Sequence, residues 1–484
     1  MTDRQKCISP SIAELSSMAQ RPVEHILVHD EVPVTKRFQV VVAGGGPSGL
    51  SAAVAAARNG ADVLLIERNG FLGGVGTAGL CPTFMGSDPL IIRGFAGEMV
   101  DRLESFGCVI NGFNTFYDAE IMKYACNEIA TEAGVKLLFD TVISRAIVDG
   151  GFVQGVVVLN KSGNQAFRAN VVIDTTGDGD VAARAGATFQ KGNEQGQMQA
   201  MSLMFRMGKV DVRRFVDFMM THKELLYVGE GVSAARPFGG RYDNDPSILD
   251  MSTEPPLVCI GGFGPMIKEA NESGELYFPH EYFWVESLWI EGNVLINANQ
   301  VTGADGTNAD DITKAWVDSR KQVMSLVKFL QRRIPGFEKS YLIDTGQNIG
   351  VRESRRIVGG YMLTKDDVLE GRRFPDGVVR NSYPVDVTGL GTETIWIKPK
   401  AQFYEIPYRC LLPEGLENIL VAGRCISVTH EALGSTRSQI CSMGTGQAAG
   451  TAAALAVRQG VTPRKVRIEE LQRLLTAQKL LWPV

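Results

Sequence analysis

The sequence predicts an α/β fold: a nucleotide-type unit with a parallel sheet, interrupted by an inserted α+β unit. Three observations carry that prediction. The apolar run Phe38–Ala43 reads as a strand buried on both faces. It opens into Gly44-Gly-Gly-Pro-Ser-Gly49 and a small-residue helix, Leu50–Asn59, after which Gly60 and the run Ala61–Ile66 complete a βαβ unit. Far downstream, Ile419–Ala422 restores the same buried-strand signal, so the unit is split along the chain.

The elements follow in order. Residues 1–37 form an arm, in which Ser11 and Glu14 have capping-box spacing and the chain then extends through His25–Val34. After the βαβ unit, 94–107 and 119–133 read as helices. Short β-like runs come at 135–139, 141–148, 152–159 and 165–175, the last leading into Thr175-Thr-Gly-Asp-Gly-Asp180. From about 190 to 400 Met and aromatic residues rise and βαβ regularity is lost. Within that stretch 310–333 predicts a long amphipathic helix, with Ile312, Trp316, Val323, Val327 and Leu330 on one stripe. A second small-residue helix is expected over about 436–458. The expected division is therefore an arm (1–37), a nucleotide unit in two parts (38–190 and 405–460), an inserted substrate unit (191–404) and a C-terminal helix (461–484).

Composition narrows the function. With 484 residues and 44% hydrophobic residues the chain can fill two cores. Lys plus Arg number 49 and Asp plus Glu 54, a net charge of −5 without long single-sign runs, which argues against a nucleic-acid partner. Glycine, 53 residues, exceeds the usual ~7%. None of the eight cysteines forms a CxxC pair, so an iron–sulfur, zinc or dithiol centre has no support and no metal is expected. The N-terminus lacks an apolar signal core, and apolar runs break well short of the ~18 residues of a membrane span. A cytoplasmic location is expected; the oligomeric state is open.

Gly44-x-Gly46-x-x-Gly49 meets the physical needs of a dinucleotide site. The first glycine permits the tight turn, the second lets backbone approach a pyrophosphate, and the third lets helix and strand pack closely. The helix start adds N–H groups and positive dipole. Glu67 ends the second strand 18 residues after Gly49, placed to accept from ribose hydroxyls. The pattern alone is cheap: it recurs at Gly74-Val-Gly76-Thr-Ala-Gly79, with near-matches at Gly177-Asp-Gly179 and Gly444-Thr-Gly446. Only the first copy has a strand before it, a helix after it and an acid at the right distance. Three further features favour a flavin over a nicotinamide: the loop Arg68–Gly74, the strand ending Ile173-Asp-Thr-Thr-Gly-Asp178, and Leu420–Arg424 followed by Leu433-Gly-Ser-Thr436.

In the stretches VVVAGGGPSGLSAAVAAARNGADVLLIER, FLGGVGTAGL, IDTTGDGDVAARAGA, GVRESRRIVGGYMLT and ENILVAGRCISVTHEALGSTRSQICSMGTGQAAGTAAALA the chain resembles the FAD-dependent oxidoreductase family. This is the glutathione-reductase-like superfamily, in the branch allied to fumarate reductase and succinate dehydrogenase flavoproteins. The resemblance spans about 38–456 and implies a Rossmann-like FAD-binding domain with a parallel sheet and a small antiparallel sheet. It implies that Gly44, Gly46, Ser48 and Gly49 hold the FAD pyrophosphate and that Glu67 serves the adenosine ribose, with Pro47 and Arg68 also among the cofactor-binding residues. Gly73, Gly74 and Thr77 would line the FAD, and Val142 would meet the adenine through its backbone. Asp178 and Gly423 would meet the pyrophosphate–ribityl region, Gly177 is counted with the cofactor-binding residues, and Arg424 would organise the cofactor loop. Ser435 and Thr436, at a helix N-terminus, would present N–H groups near flavin O2. Where the succinate and fumarate enzymes carry an Arg just before the Leu-Gly-Ser turn, this chain has Ala432. The resemblance therefore does not carry dicarboxylate chemistry over.

A flavin dehydrogenase needs a base for the proton lost alongside the hydride. His430 is the candidate, with Glu431 beside it; the bland alternative is a loop histidine bonded to backbone and a solvated carboxylate. Arg352 and Arg437 are the candidates for holding a substrate carboxylate. Arg355 and Arg356 follow more weakly, because an ion pair with Glu353 competes. Phe283, Trp284 and Trp289 resemble pocket lining but fit a core equally well, Tyr404 and Tyr408 could reach the flavin, and Cys81 has no assigned part. The expected activity is hydride transfer from a small organic substrate to flavin N5, as a dehydrogenase or oxidase, with oxygen, a quinone or a carrier protein as acceptor. The alternatives are an NAD(P)H-dependent reductase or monooxygenase, and a non-catalytic or redox-neutral flavoprotein.

Overall fold

The computed structural model describes residues 30–85, 90–111, 115–226, 249–252, 254–388 and 394–482. The helix expected at Ser11 lies outside the described residues. Strand β1 (Val34–Ala43) begins inside the stretch read as an arm, and its buried half is the apolar run that starts at Phe38. It leads through the glycine turn into helix α1 (Pro47–Arg58) and strand β2 (Val63–Ile66). Helices α2 (Phe95–Ser105) and α3 (Ala119–Glu132) follow. Asp118 starts α3 by accepting from the backbone N–H groups of Glu120 and Ile121, which satisfies donors that the first turn leaves free. Strands β3 (Lys136–Leu138), β4 (Val142–Asp149), β5 (Phe152–Asn160) and β6 (Gly163–Asp174) complete this part of the chain.

These strands make a seven-stranded sheet in the order β3-β2-β1-β6-β5-β4, with Ile419–Val421 also pairing on β6. β3, β2, β1, β6 and Ile419–Val421 pair in parallel, whereas β4 and β5 join antiparallel. β6 changes partner along its length: Gly163–Arg168 pairs with β5, and Val172–Asp174 pairs with Ile419–Val421. The carboxyl ends of β1 and β6 therefore lie side by side, Ala43 beside Asp174, under the glycine turn.

A second, antiparallel sheet carries β7 (Phe205–Gly208), β8 (Leu249–Asp250), β9 (Leu257–Gly262), β10 (Phe283–Ser287), β11 (Val294–Asn297) and β12 (Tyr341–Thr345), in the order β8-β9-β10-β11-β7-β12. Helix α4 (Ala309–Arg333) packs Val323, Leu326, Val327, Phe329 and Leu330 into the same core as Phe205, Val285 and Ile296. Asn308 caps its start, Asp310 and Asp311 sit in the first turn, and Arg332 and Arg333 in the last, each charge matching the helix dipole. This second core runs from Leu203 to Phe337. Ile357, Leu363, Val378, Val387 and Phe403, grouped by sequence with the inserted unit, pack instead in the first core, with Val421 and Leu433.

Near the C-terminus come two helices in succession, α5 (His430–Thr436) and α6 (Gln439–Gln459), then α7 (Ile468–Ala477). α6 lies against α1 at glycine distance. A Cβ at Gly446 would come within 2.0 Å of Ser48 O, and one at Gly450 within 2.0 Å of Ala52 O. That explains the small-residue composition of both helices. Among the described residues no helix is long and apolar enough to cross a membrane.

Candidate active site

A cavity of about 440 Å³, within the usual range of ligand pockets, opens where the carboxyl ends of β1 and β6 meet the second sheet. One end is made of backbone. Gly44 adopts φ +101°, a conformation that favours glycine, and a Cβ there would reach 2.7 Å from Thr175 O. Gly46 faces open space: its Cβ would meet nothing nearer than Gly74 Cα at 3.9 Å. Gly49 does not reach the cavity. A Cβ on it would fall 1.7 Å from Gly44 O, so the third glycine is the helix–strand packing position. The start of α1 has no side-chain cap and no acid in its first turn, which leaves its N–H groups and dipole directed at the cavity.

Glu67 is buried and organised by backbone: its Oε2 accepts from Gly45 N at 2.6 Å and its Oε1 from Asn69 N at 2.8 Å. Arg68, Thr141 and Val142 continue the wall beside it. At the other flank Arg424 donates to Asp178 Oδ1 at 2.7 Å and to Ser354 Oγ at 2.6 Å. Burial works against the charge on Asp178, but Arg424 and Ser354 outweigh it and hold the carboxyl below its ordinary range.

The far end is made of side chains from the second sheet and from the β12–α5 region. On β10 the two-residue period sends Phe283 and Val285 into the second core while Tyr282, Trp284 and Glu286 line the cavity. Glu286 is buried and meets Thr83 Oγ1 and Asn297 Nδ2, each at 3.4 Å. Burial pushes its carboxyl up to about 7, against which Asn297 and Thr83 work only weakly. Arg352 follows the short strand β13 (Gly350–Val351), which pairs with Met201–Ser202. Its Nη1 donates to Ala200 O at 2.8 Å, and among the described residues it has no carboxylate within ion-pair distance. Burial, and then the nearby Arg437, lower its guanidinium to about 10, with Asp386 working the other way. Arg437 itself is paired with Asp386 Oδ2 at 3.0 Å. Cys81 lines the same cavity, its thiol raised to about 12 by burial and by Glu286, with Arg352 and Arg437 working the other way.

The structure thus brings together Gly44, Gly46, Pro47, Ser48, Glu67, Arg68, Gly74, Val142, Gly177, Asp178, Arg424, Arg352 and Arg437 around one cavity. Gly73, Thr77 and Gly423 stand behind its wall. Thr77 Oγ1 donates to Leu72 O and Gly423 N to Thr445 Oγ1. Ser435 and Thr436 are not at a helix start. Thr429 caps the separate short helix α5, and α6 begins only at Gln439, behind the Ser438 cap. Ser435 Oγ is bonded to Tyr404 OH at 2.6 Å inside the core, while Gln439 and Ser442 of α6 line the cavity in its place.

His430 and Glu431 also lie off the cavity. His430 Nδ1 sits 2.7 Å from Glu353 Oε2, within ion-pair distance but without hydrogen-bond alignment. Glu353, fully buried, also pairs with Arg356 and accepts from Gln199 N at 3.0 Å. The competing ion pair weighed for Arg356 is the one formed, and Arg355 pairs with Asp180. Sequence reasoning missed Glu286, Tyr282, Gln439 and Cys81. The only local signal was the alternation Tyr282-x-Trp284-x-Glu286, because the parity of β10 separates cavity from core.

The chain belongs to the FAD dependent oxidoreductase family, whose model matches residues 39–475, and FAD is its cofactor. It is 33% identical over 220 residues to a thiamine thiazole synthase of Aeropyrum pernix, covering 42% of this chain and 75% of that one. It is 32% identical over 158 residues to a digeranylgeranylglycerophospholipid reductase of Methanocella arvoryzae, covering 29% of this chain and 39% of that one. The fold is shared with a geranylgeranyl bacteriochlorophyll reductase-like protein of Thermoplasma acidophilum, with TM-score 0.50 and 14% identity over 92% of this chain and 84% of that one.

Proposed function

We propose that this FAD-dependent oxidoreductase oxidises a small organic anion, as a dehydrogenase or oxidase. The observation that carries the reading is Arg352, a guanidinium in the cavity wall with no carboxylate within ion-pair distance among the described residues. A partly desolvated cation with no ion-pair partner among the described residues is costly, and an anionic ligand removes the cost. The open space at Gly46 and the uncapped start of α1 fit an FAD pyrophosphate. Gly44, Gly46, Pro47 and Ser48 would hold it, Glu67, Arg68 and Val142 would receive the adenosine, and Gly177, Asp178 and Arg424 would flank the ribityl chain. When bound, FAD supplies the two-electron acceptor. Arg352 then fixes the substrate's acidic group, and the Arg437–Asp386 pair and the ring faces of Tyr282 and Trp284 bound the remaining space.

Anaerobic addition of pooled small carboxylates to the FAD-loaded protein is expected to bleach the oxidised-flavin bands. Arg352→Gln should weaken that response by about 10–100-fold in substrate concentration with flavin content unchanged. An unchanged response in the variant would remove Arg352 from the site. A second reading, an NAD(P)H-consuming reductase, draws on the likeness to the archaeal reductase. Bleaching by NAD(P)H alone, with no carboxylate active, would favour it.

A further inference from the structure

The cavity is not simply cationic. Glu286 of the second sheet lines the same cavity as Arg352 and Arg437; it is buried, and among the described residues its carboxyl has no cation within ion-pair distance and two hydrogen bonds, both at 3.4 Å. Cys81, in the same lining, feels Glu286 and both arginines, so the two kinds of charge share one cavity. A buried carboxyl held this loosely has acceptor capacity left over, since a carboxylate offers about four lone-pair sites. Thr83 and Asn297 fill two of them at the long limit of hydrogen bonding. Arg352 has the complementary surplus, several donors with, among the described residues, one backbone carbonyl to receive them.

We propose that the cavity takes an organic acid that also carries an amine or hydroxyl group, the acid held at Arg352 and the N–H or O–H donated to the Glu286 carboxylate. The proposal rests on the reading of the cavity as an anion-binding substrate site and adds the second functional group of its ligand. Both surpluses are met at once by such a ligand, whereas a plain carboxylate leaves Glu286 unpaired. The carboxyl is poised to change charge near neutral pH. The titratable groups facing it from the neighbouring elements, Cys81 and Cys259, have thiols raised by burial far above that range, so Glu286 is the group that titrates there.

The test is calorimetric binding to the FAD-loaded protein of glycine, β-alanine, γ-aminobutyrate and para-aminobenzoate, each paired with the acid that lacks the amine. Near pH 8 at least one amino acid is expected to bind about 10–100-fold tighter than its partner. Glu286→Gln, close to isosteric, should erase that ratio and leave the plain acid's affinity intact. A second measurement needs no variant: in the wild type the ratio should disappear as pH falls below about 6, where Glu286 becomes protonated while the aliphatic amines stay charged and the arylamine of para-aminobenzoate stays neutral. Equal binding within every pair, or a preference that survives both Glu286→Gln and low pH, would overturn the proposal. Failure of the underlying anion reading would look different, since then the plain acids would not bind and Arg352→Gln would change nothing.

Discussion

The two ends of the cavity are built from different material. At the proposed nucleotide end the wall is mostly backbone, a glycine turn and an uncapped helix start, with the carboxylate of Glu67 tied to Gly45 N. At the other end, the proposed substrate end, the wall is side chains drawn from Cys81, Met85, β10, β11, the residue after β13 and the junction of α5 and α6. A backbone wall demands particular residue types at fixed spacing, because only glycine tolerates those approaches. A side-chain wall demands only that the fold bring suitable groups together, and it imposes no spacing. On the reading proposed above, the first end would serve FAD and the second would set the substrate.

The sharpest way to break this comparison lies inside a single motif, where two glycines three residues apart do different jobs. Gly49→Val should give no folded protein, since even a Cβ falls 1.7 Å from Gly44 O. Gly46→Val has room within the chain and should fold with a wild-type circular dichroism spectrum and melt, yet purify without flavin absorbance. Flavin retained in folded Gly46→Val would mean that the turn is not the pyrophosphate wall.

A smaller effect tests which end His430 belongs to. It sits in a buried cluster with Glu353, Arg356 and Gln199, whose members tie the segment at Gly192 and Gln199 to Val428 and the start of α5. His430→Gln should lower stability by about 1–3 kcal/mol in chemical denaturation and leave the rate of anaerobic flavin reduction close to wild type. A loss of about 10²–10⁴-fold in that rate, the ordinary contribution of a general base, would return His430 to the substrate end.

The same contrast explains what could be read from sequence. The βαβ unit, the run of short strands to Asp174, the returning strand Ile419–Val421 and helix α4 follow from apolar periodicity and glycine placement, both local properties. Gly44, Gly46, Glu67 and Asp178 lie where motif spacing puts them, at the cavity. Ser435 and Thr436 were misplaced because their turn looks like a helix start, and only the Thr429 and Ser438 caps reveal two helices instead of one. Glu286 had no local mark. Its raised carboxyl comes from burial between β10, Asn297 and Thr83, the last of which lies 203 residues away in the chain.

The smallest expected effect separates the two helix starts that approach the cavity. α1 begins without a side-chain cap, whereas α6 begins with Ser438, whose side chain accepts from Cys441 N at 3.4 Å. A helix start whose donors are already satisfied has less to offer an anion than one whose donors are free. Ser438→Ala should therefore cost about 1 kcal/mol of stability, as a lost cap does, while FAD content and affinity stay at the wild-type level. Tighter FAD binding in the variant would mean that the cap competes with the cofactor for the same N–H groups. The start of α6 would then be a second backbone wall, and the boundary between the two ends of the cavity would move to the far side of Gln439.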